Sequence, residues 1–494
     1  MLTVFLLLAV GWWFFPENGI QVGGVTLRFA NVQKDLHSAD DAASGVNVDK
    51  LLEASAQSFE ETLSPTDKED LESFRKYFTE SPERIYVLEG DFTFFDAVFR
   101  AFEQARKDST VVRILHYGDS QIELDRITAS LREKMQVLFG GHGVGMVPAI
   151  ETVPTFSIDQ SATGSISNHI VYGNDPTLHI SHRRYGATGK MAHVNGSATL
   201  SFRERNDSYT QPHVKEFSRI TLLTGNTNNL TATVKAGDIS LKESIQVEKG
   251  DVDKLVFRLP KRVKQATVHL QGNAEIYGVL LDDSCGVAVD NDAMRGCWGT
   301  IYTEMDTTLL AKSLKVLNTK LIILQFGGNS MPGITGLKSI SNYINKLQEQ
   351  ITLLKRLAPQ CTYLFIGPAD MGKRVNGEMQ TWPYLPEMND SLKVLALRNH
   401  MAYWDMFHVM GGENSMEQWV NHNPPLGGPD YIHFSNRGAA EIGTMLANTF
   451  NTYYKFYKIR QTIPGDSVIN FIRKKPVVVK KADSIHKPVN NEKK

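Results

Sequence analysis

The stretch "VVRILHYGDSQIELDRIT", Val111 to Thr128, decides how this chain is read. Its opening residues are an apolar run of buried-strand length, and Gly118-Asp119-Ser120 carries that strand into a segment with helical character. A serine at such a junction is either a nucleophile or a helix N-cap. The tripeptide recurs at Gly465-Asp466-Ser467, where no apolar strand leads in and no amphipathic helix is expected to follow. The choice therefore rests on partners elsewhere in the chain.

With 494 residues, 41% of them apolar, the chain can bury a large core and is long enough for two or three domains. Its 53 basic and 54 acidic residues nearly cancel, which removes the global positive field that nucleic-acid binding requires and excludes that class of partner. Cys285, Cys297 and Cys361 match neither a disulfide framework nor the paired spacing of a zinc site, although Cys285 and Cys297 could pair in an exported protein. "LTVFLLLAVGWWFFP" near the start is shorter than the roughly 20 residues of a spanning helix, and fits a signal h-region or clipped anchor. Its Trp12-Trp13-Phe14-Phe15 cluster has the character of an interfacial aromatic belt. Export follows as an expectation, with the remainder outside the cytoplasm.

From Asp91 onward the pattern is α/β. "VVRILHY", "LIILQF", "TYLFIG" and "AYWDMF" are strand-length apolar runs, and "SISNYINKLQEQITLLKRLAP" places Ile340, Ile344, Leu347, Ile351 and Leu354 on one helical face. Such alternation implies a parallel sheet covered on both sides. Between about Phe156 and Asp283 the rhythm changes to short, partly alternating segments such as "RITLLTG", "LTATVKAG" and "KLVFRLP", separated by turn residues. This predicts an inserted β-sandwich or jelly roll.

Near the far end, "GGPDYIHFSNRGAAEIG" sets Asp430 three residues before His433. A loop turn at this spacing lets the carboxylate hold one imidazole nitrogen while the other reaches a distant serine hydroxyl. A tetrahedral intermediate also needs donors aimed at its oxyanion. Asn329, delivered by the strand "LIILQF" through Gly327-Gly328, is one candidate; the backbones of Ser120 and of Gly296 in "VDNDAMRGCWGT" are others. No clustered set of carboxylate and histidine ligands points to a metal, and no cofactor is expected.

These blocks in this order resemble an SGNH (GDSL-type) hydrolase. The resemblance implies a three-layer α/β/α fold with a parallel sheet, Ser120 as nucleophile, His433 as general base and then acid, and Asp430 as its orienter. It further implies an oxyanion hole formed by Ser120, Gly296 and Asn329. Ser330 stands where an aspartate often follows the asparagine, and Arg295 precedes the block-two glycine where a small or polar residue is common. The layout, including the β-rich insertion and "YWDMFHVMGGENS", looks like the peptidoglycan O-acetylesterase branch, whose insertion resembles a carbohydrate-binding module.

The division expected is an anchor or signal at 1–16, an extracytoplasmic spacer at 17–90, and hydrolase parts at 91–155 and 285–455. The inserted domain would span 156–284, and a basic disordered tail 456–494. The implied activity is deacetylation of an acetylated polysaccharide of the bacterial envelope, in the periplasm or cell envelope with an inner-membrane tether. An acetyltransferase working with a membrane acyltransferase partner, or a glycan-binding scaffold, are the alternatives. Tyr172 and Tyr185 are candidates for sugar contact from the insertion.

Overall fold

Val111–Gly118 (β4) is a strand, and it lies next to the middle of a six-stranded sheet with the order β12-β4-β13-β14-β17-β3. Its companions are β12 (Gly286–Ala293), β13 (Thr319–Gln325), β14 (Thr362–Ile366), β17 (Ala402–Trp404) and β3 (Ile85–Tyr86), while β15 (Gly372–Val375) and β16 (Glu378–Thr381) pair apart from this sheet. β12, β4, β13, β14 and β17 run parallel, and β3 closes the edge in the antiparallel sense. The computed structural model describes residues 20–22, 25–27, 47–53, 68–462 and 467–473. Ile20–Val22 (β1) and Val25–Leu27 (β2) pair in the antiparallel sense and belong to a unit of their own. The remainder belongs to the second unit.

Alternation along the parallel strands builds the three layers, because successive side chains point to opposite faces. Val112, Ile114, Leu321, Ile323, Leu364 and Ile366 face α2 (Asp96–Lys107), α3 (Thr128–Phe139) and α9 (Asn436–Thr462). Leu115, Tyr117, Ile322, Leu324, Tyr363 and Phe365 face α4 (Thr307–Val316), α5 (Leu337–Leu357) and α6 (Leu385–Arg398). The helix expected to stop near Pro359 ends at Leu357.

The insertion is antiparallel throughout. β6 (Ile158–Ile170), β7 (Lys190–Glu204), β8 (Phe217–Ala236), β10 (Asp253–Val263) and β11 (Gln265–Asp282) pair in the order β10-β8-β11-β7-β6, with β9 (Ile239–Val247) on β8. The two longest strands, β8 and β11, change register three times along their ladder, and such irregularities bend a sheet. Leu222, Leu230, Val234, Phe257, Val268 and Leu270 fill a core separate from the other two. β5 (Gly145–Val147) also pairs with β11, so the sheet of the insertion reaches back beyond the expected boundary at Phe156. Buried ion pairs weld it to the parallel sheet: Arg113 of β4, which also pairs with Asp290 within that sheet, to Asp282 of β11, and Lys190 of β7 to Asp292 of β12.

Three expectations are corrected. The spacer does not extend to residue 90, because α1 (Lys68–Glu80) and β3 pack into the α/β core through Phe74, Phe78 and Ile85. The tail does not begin at residue 456: α9 runs to Thr462 with Phe456 fully buried, and α10 (Ser467–Arg473) buries Val468 and Ile472. A helix therefore does follow the second Gly-Asp-Ser. Cys285 and Cys297 are free thiols at opposite ends of β12, whose eight residues span about 26 Å, far beyond disulfide reach. The expected anchor at 1–16 and residues 474–494 lie outside the described residues, among which no helix is long and apolar enough to cross a membrane.

Candidate active site

Ser120, His433 and Asp430 meet at the carboxyl edge of the parallel sheet. Ser120 Oγ lies 2.8 Å from His433 Nε2, and His433 Nδ1 lies 2.7 Å from Asp430 Oδ2. The other carboxylate oxygen of Asp430 accepts the backbone N–H groups of Ile432 and His433, each at 3.0 Å. Burial works against ionisation of this carboxyl, but the hydrogen bonds from the His433 ring and these two amides outweigh it and hold the group below the usual carboxylate range. An ionised Asp430 accepts a hydrogen bond from Nδ1–H, which leaves Nε2 unprotonated and able to take the serine proton.

Local chemistry explains why each loop holds its shape. A Cβ at Gly118 would come within 2.9 Å of the Ile122 side chain and 3.3 Å of Gln325 O, so glycine leaves room for the chain to turn back over itself there. Asp119 accepts the Gln121 N–H at 2.9 Å and opens a single 3-10 turn, Ser120–Ile122. The long helix begins only at Thr128; Leu124 and Asp125 between them adopt left-handed backbone, with Asp125 tied to Arg132 and Ser157. Ser120 therefore heads one short turn rather than the start of the long helix. On the other side, Trp419 of α8 (Ser415–Asn421), the helix after α7 (Met406–Val409), accepts the N–H groups of Leu426 and Gly427 at 2.8 Å each. That contact fixes the start of the Asp430 loop.

Two side chains tie the loops together. Arg126 donates to the carbonyl oxygens of Ser120 (2.6 Å), Gln121 (3.2 Å) and Phe434 (3.2 Å). Gln121 Nε2 donates to Ile432 O at 2.7 Å. Neither residue is legible as functional in the sequence, because their partners are backbone carbonyls that every residue carries.

The candidate oxyanion donors sit on neighbouring loops. Asn329 is half-buried at the end of β13, and its Nδ2 donates to Cys297 O at 3.3 Å, which orients the amide and leaves its second N–H for another acceptor. Gly296 is exposed with φ +74°, and nothing lies within 4 Å of where a Cβ would stand. Nearby Gly299 is not equivalent: it is buried against Phe326, and its N–H is taken by Cys297 Sγ. Ser330, in place of the common aspartate, is buried and donates to Gly327 O at 2.7 Å, so it closes the turn that presents Asn329. Arg295 is held by Glu123 through contacts of 2.6 and 2.8 Å, pinning the Gly296 loop to the segment after the serine.

Tyr172 and Tyr185 do not line an exposed sugar platform. Both are buried in the core facing α4 and α5, where their rings seal the insertion onto the sheet and Tyr185 OH accepts the Ile180 N–H.

The parallel sheet and the contacts joining Ser120, His433 and Asp430 agree with the SGNH-type resemblance of the sequence blocks. No family model matches the chain, and no curated protein matches it in sequence. Its fold is shared with a peptidoglycan O-acetylesterase, at 18% identity and a TM-score of 0.57, over 72% of this chain and 95% of the other. A family two carbohydrate esterase from Cellvibrio japonicus (12% identity, 60% of this chain and 99% of that one, TM-score 0.22) superposes far less well. The same holds for a GDSL-like lipase from Parabacteroides merdae (13% identity, 34% and 74%, TM-score 0.26).

Proposed function

We propose that this protein is a serine esterase that removes O-acetyl groups from a bacterial envelope glycan, with peptidoglycan as the substrate of first choice. The observation that carries the reading is the hydrogen-bonded relay Ser120–His433–Asp430 at the carboxyl edge of the sheet. Ser120 Oγ attacks the acetyl carbonyl as His433 Nε2 takes its proton, and the oxyanion is received by the N–H groups of Ser120 and Gly296 and by the Asn329 amide. Collapse breaks the bond from the acetyl carbon to the sugar oxygen, which takes the proton from His433 and leaves as a hydroxyl, with the acetyl group on Ser120. Water, deprotonated by His433, then releases acetate and restores the serine.

The choice of glycan is supported by the shared fold, which spans nearly the whole of the peptidoglycan O-acetylesterase. Placement in the envelope rests on the apolar N-terminal segment alone. An intact relay argues against a scaffold with a dead site. The test is acetate release by the purified protein from O-acetylated peptidoglycan, compared with acetylated xylan and other acetylated glycans at equal acetyl content. Fastest release from peptidoglycan supports the reading; faster release from a neutral plant glycan moves the substrate elsewhere. Transfer of acetyl to an added sugar in preference to water would make the enzyme a transferase.

A further inference from the structure

At the opposite, amino edge of the parallel sheet, a cleft of about 720 Å3 lies between the start of β4, the end of α4 and the β8–β10 edge of the insertion. Six cations line it, Arg113, Arg219, Lys254, Arg258, Lys312 and Lys315, against the single carboxylate of Asp251. In a chain with 53 basic and 54 acidic residues, such a local excess has to be held in place by the fold.

Some of this charge is already matched. Arg113 is neutralised by Asp282 and Asp290, and Lys312 reaches Asp251 at 3.3 Å. Lys315 closes the last turn of α4, where a cation complements the helix dipole. The arginines are different. Arg219 and Arg258 are direct cross-strand partners in the antiparallel β8–β10 ladder, so their side chains leave the same face side by side. Like charges in that position destabilise a sheet. Arg219 makes one 3.3 Å contact to Asp282, while its Nε is buried with no hydrogen-bond partner. Arg258 is exposed and has no acidic partner among the described residues. Lys254, four residues along the same strand and so on the same face, donates to Val316 O at 3.1 Å; burial and the neighbouring Arg219 and Arg113 lower its pKa.

We infer that this cleft is a binding site for a multivalent anion, whose phosphate or carboxylate groups lie between Arg219 and Arg258 and extend toward Lys254 and Lys315. An anion there turns the cross-strand repulsion into charge-assisted contacts with the two guanidinium tips. The site is distinct from the triad: β4 begins at the cleft with Val111 and ends beside Ser120, and its eight residues span about 26 Å. Its occupancy does not depend on the esterase reading.

The test is isothermal titration of the full chain with inorganic tripolyphosphate and, separately, with polygalacturonate, at low and at raised salt. Wild-type protein should bind at least one probe, more weakly as salt screens the cleft. Arg258→Glu combined with Lys315→Glu should weaken that binding about tenfold or more. Both side chains are exposed, so turnover of a small acetyl ester should stay unchanged and report that the fold survives. A milder Arg258→Gln variant should show a smaller loss of the same kind. Preference for tripolyphosphate assigns the natural ligand to phosphates, and preference for polygalacturonate to a carboxylate polymer. Failure to bind either probe, or equal binding by the charge-reversed variant, overturns the inference.

Discussion

Replacing Arg126 asks whether the catalytic geometry is held by the backbone carbonyls it binds. Its guanidinium joins Ser120 O, Gln121 O and Phe434 O, so one side chain bridges the loop of the nucleophile and the residue after the base. Hydrogen bonds from a charged donor are worth about 1.5–3 kcal/mol each, but these carbonyls lie in a half-buried site and regain water when the arginine is lost. A net stability loss of about 2–4 kcal/mol is expected for Arg126→Met. The larger effect falls on rate. With the Gln121–Ile432 contact as the remaining tether, the 2.8 Å Ser120–His433 approach loosens without being abolished. Misplacement on the order of 1 Å costs about 10²-fold. Arg126→Met should therefore lower kcat about 10- to 100-fold and leave KM nearly unchanged. Arg126→Lys, whose ammonium cannot span three carbonyls, should fall between. Steady-state hydrolysis of a small acetyl ester, alongside thermal melts, measures both effects. An unchanged kcat in folded Arg126→Met, or a loss confined to KM, would refute the reasoning.

Asn329→Ala should reduce kcat by about 10²–10³ with little change in KM, because its amide meets charge that develops only in the transition state; an unaltered kcat removes it from the oxyanion hole. Burial raises the Asp119 carboxyl to about 6, only partly offset by the Gln121 N–H and His433. Its folded-state pKa lies above the unfolded value, so the stability it contributes is fully present below about pH 4 and is lost as pH rises through about 6. Asp119→Asn keeps the acceptor for Gln121 and removes the charge. It should melt above wild type at pH 8 by up to about 3 kcal/mol and match it near pH 4, and a difference independent of pH would rule this out. Phe456→Ala should destabilise the fold by about 3–5 kcal/mol by emptying its contact with Phe78, whose ring centroid lies 4.8 Å away. A change below about 1 kcal/mol would mean that the α1–α9 packing is not part of the cooperative unit.

The site was legible where chemistry forces a residue type. Ser120, Asp430, His433 and Asn329 stand out because proton transfer and oxyanion binding admit few alternatives, and the structure brings the first three into contact. Strands β4, β13 and β14 were legible as apolar runs because both faces are covered. The reading failed where charge masked periodicity. In α9, Phe450, Tyr453, Phe456 and Tyr457 make a helical stripe among lysines, and α1 carries Phe74 and Phe78 inside an acidic stretch; the two helices pack on each other through these rings. Tyr172 and Tyr185 mislead in the sequence because a tyrosine in a β-rich segment suits a sugar platform as well as a domain seam. Arg126 left no trace at all, since a side chain that binds carbonyls places no demand on its partners' identities.

The central claim, that Ser120 is the acyl-carrying nucleophile, is tested most directly by rapid acid quench during turnover of an acetyl ester. Peptide mapping by mass spectrometry then locates the acetyl group, in wild type and in Ser120→Ala protein of unchanged circular dichroism. The account predicts one acetyl group on the peptide that contains Ser120 in the wild type, and neither label nor turnover in the variant. Acetyl found on another residue, or turnover persisting in Ser120→Ala, would contradict it.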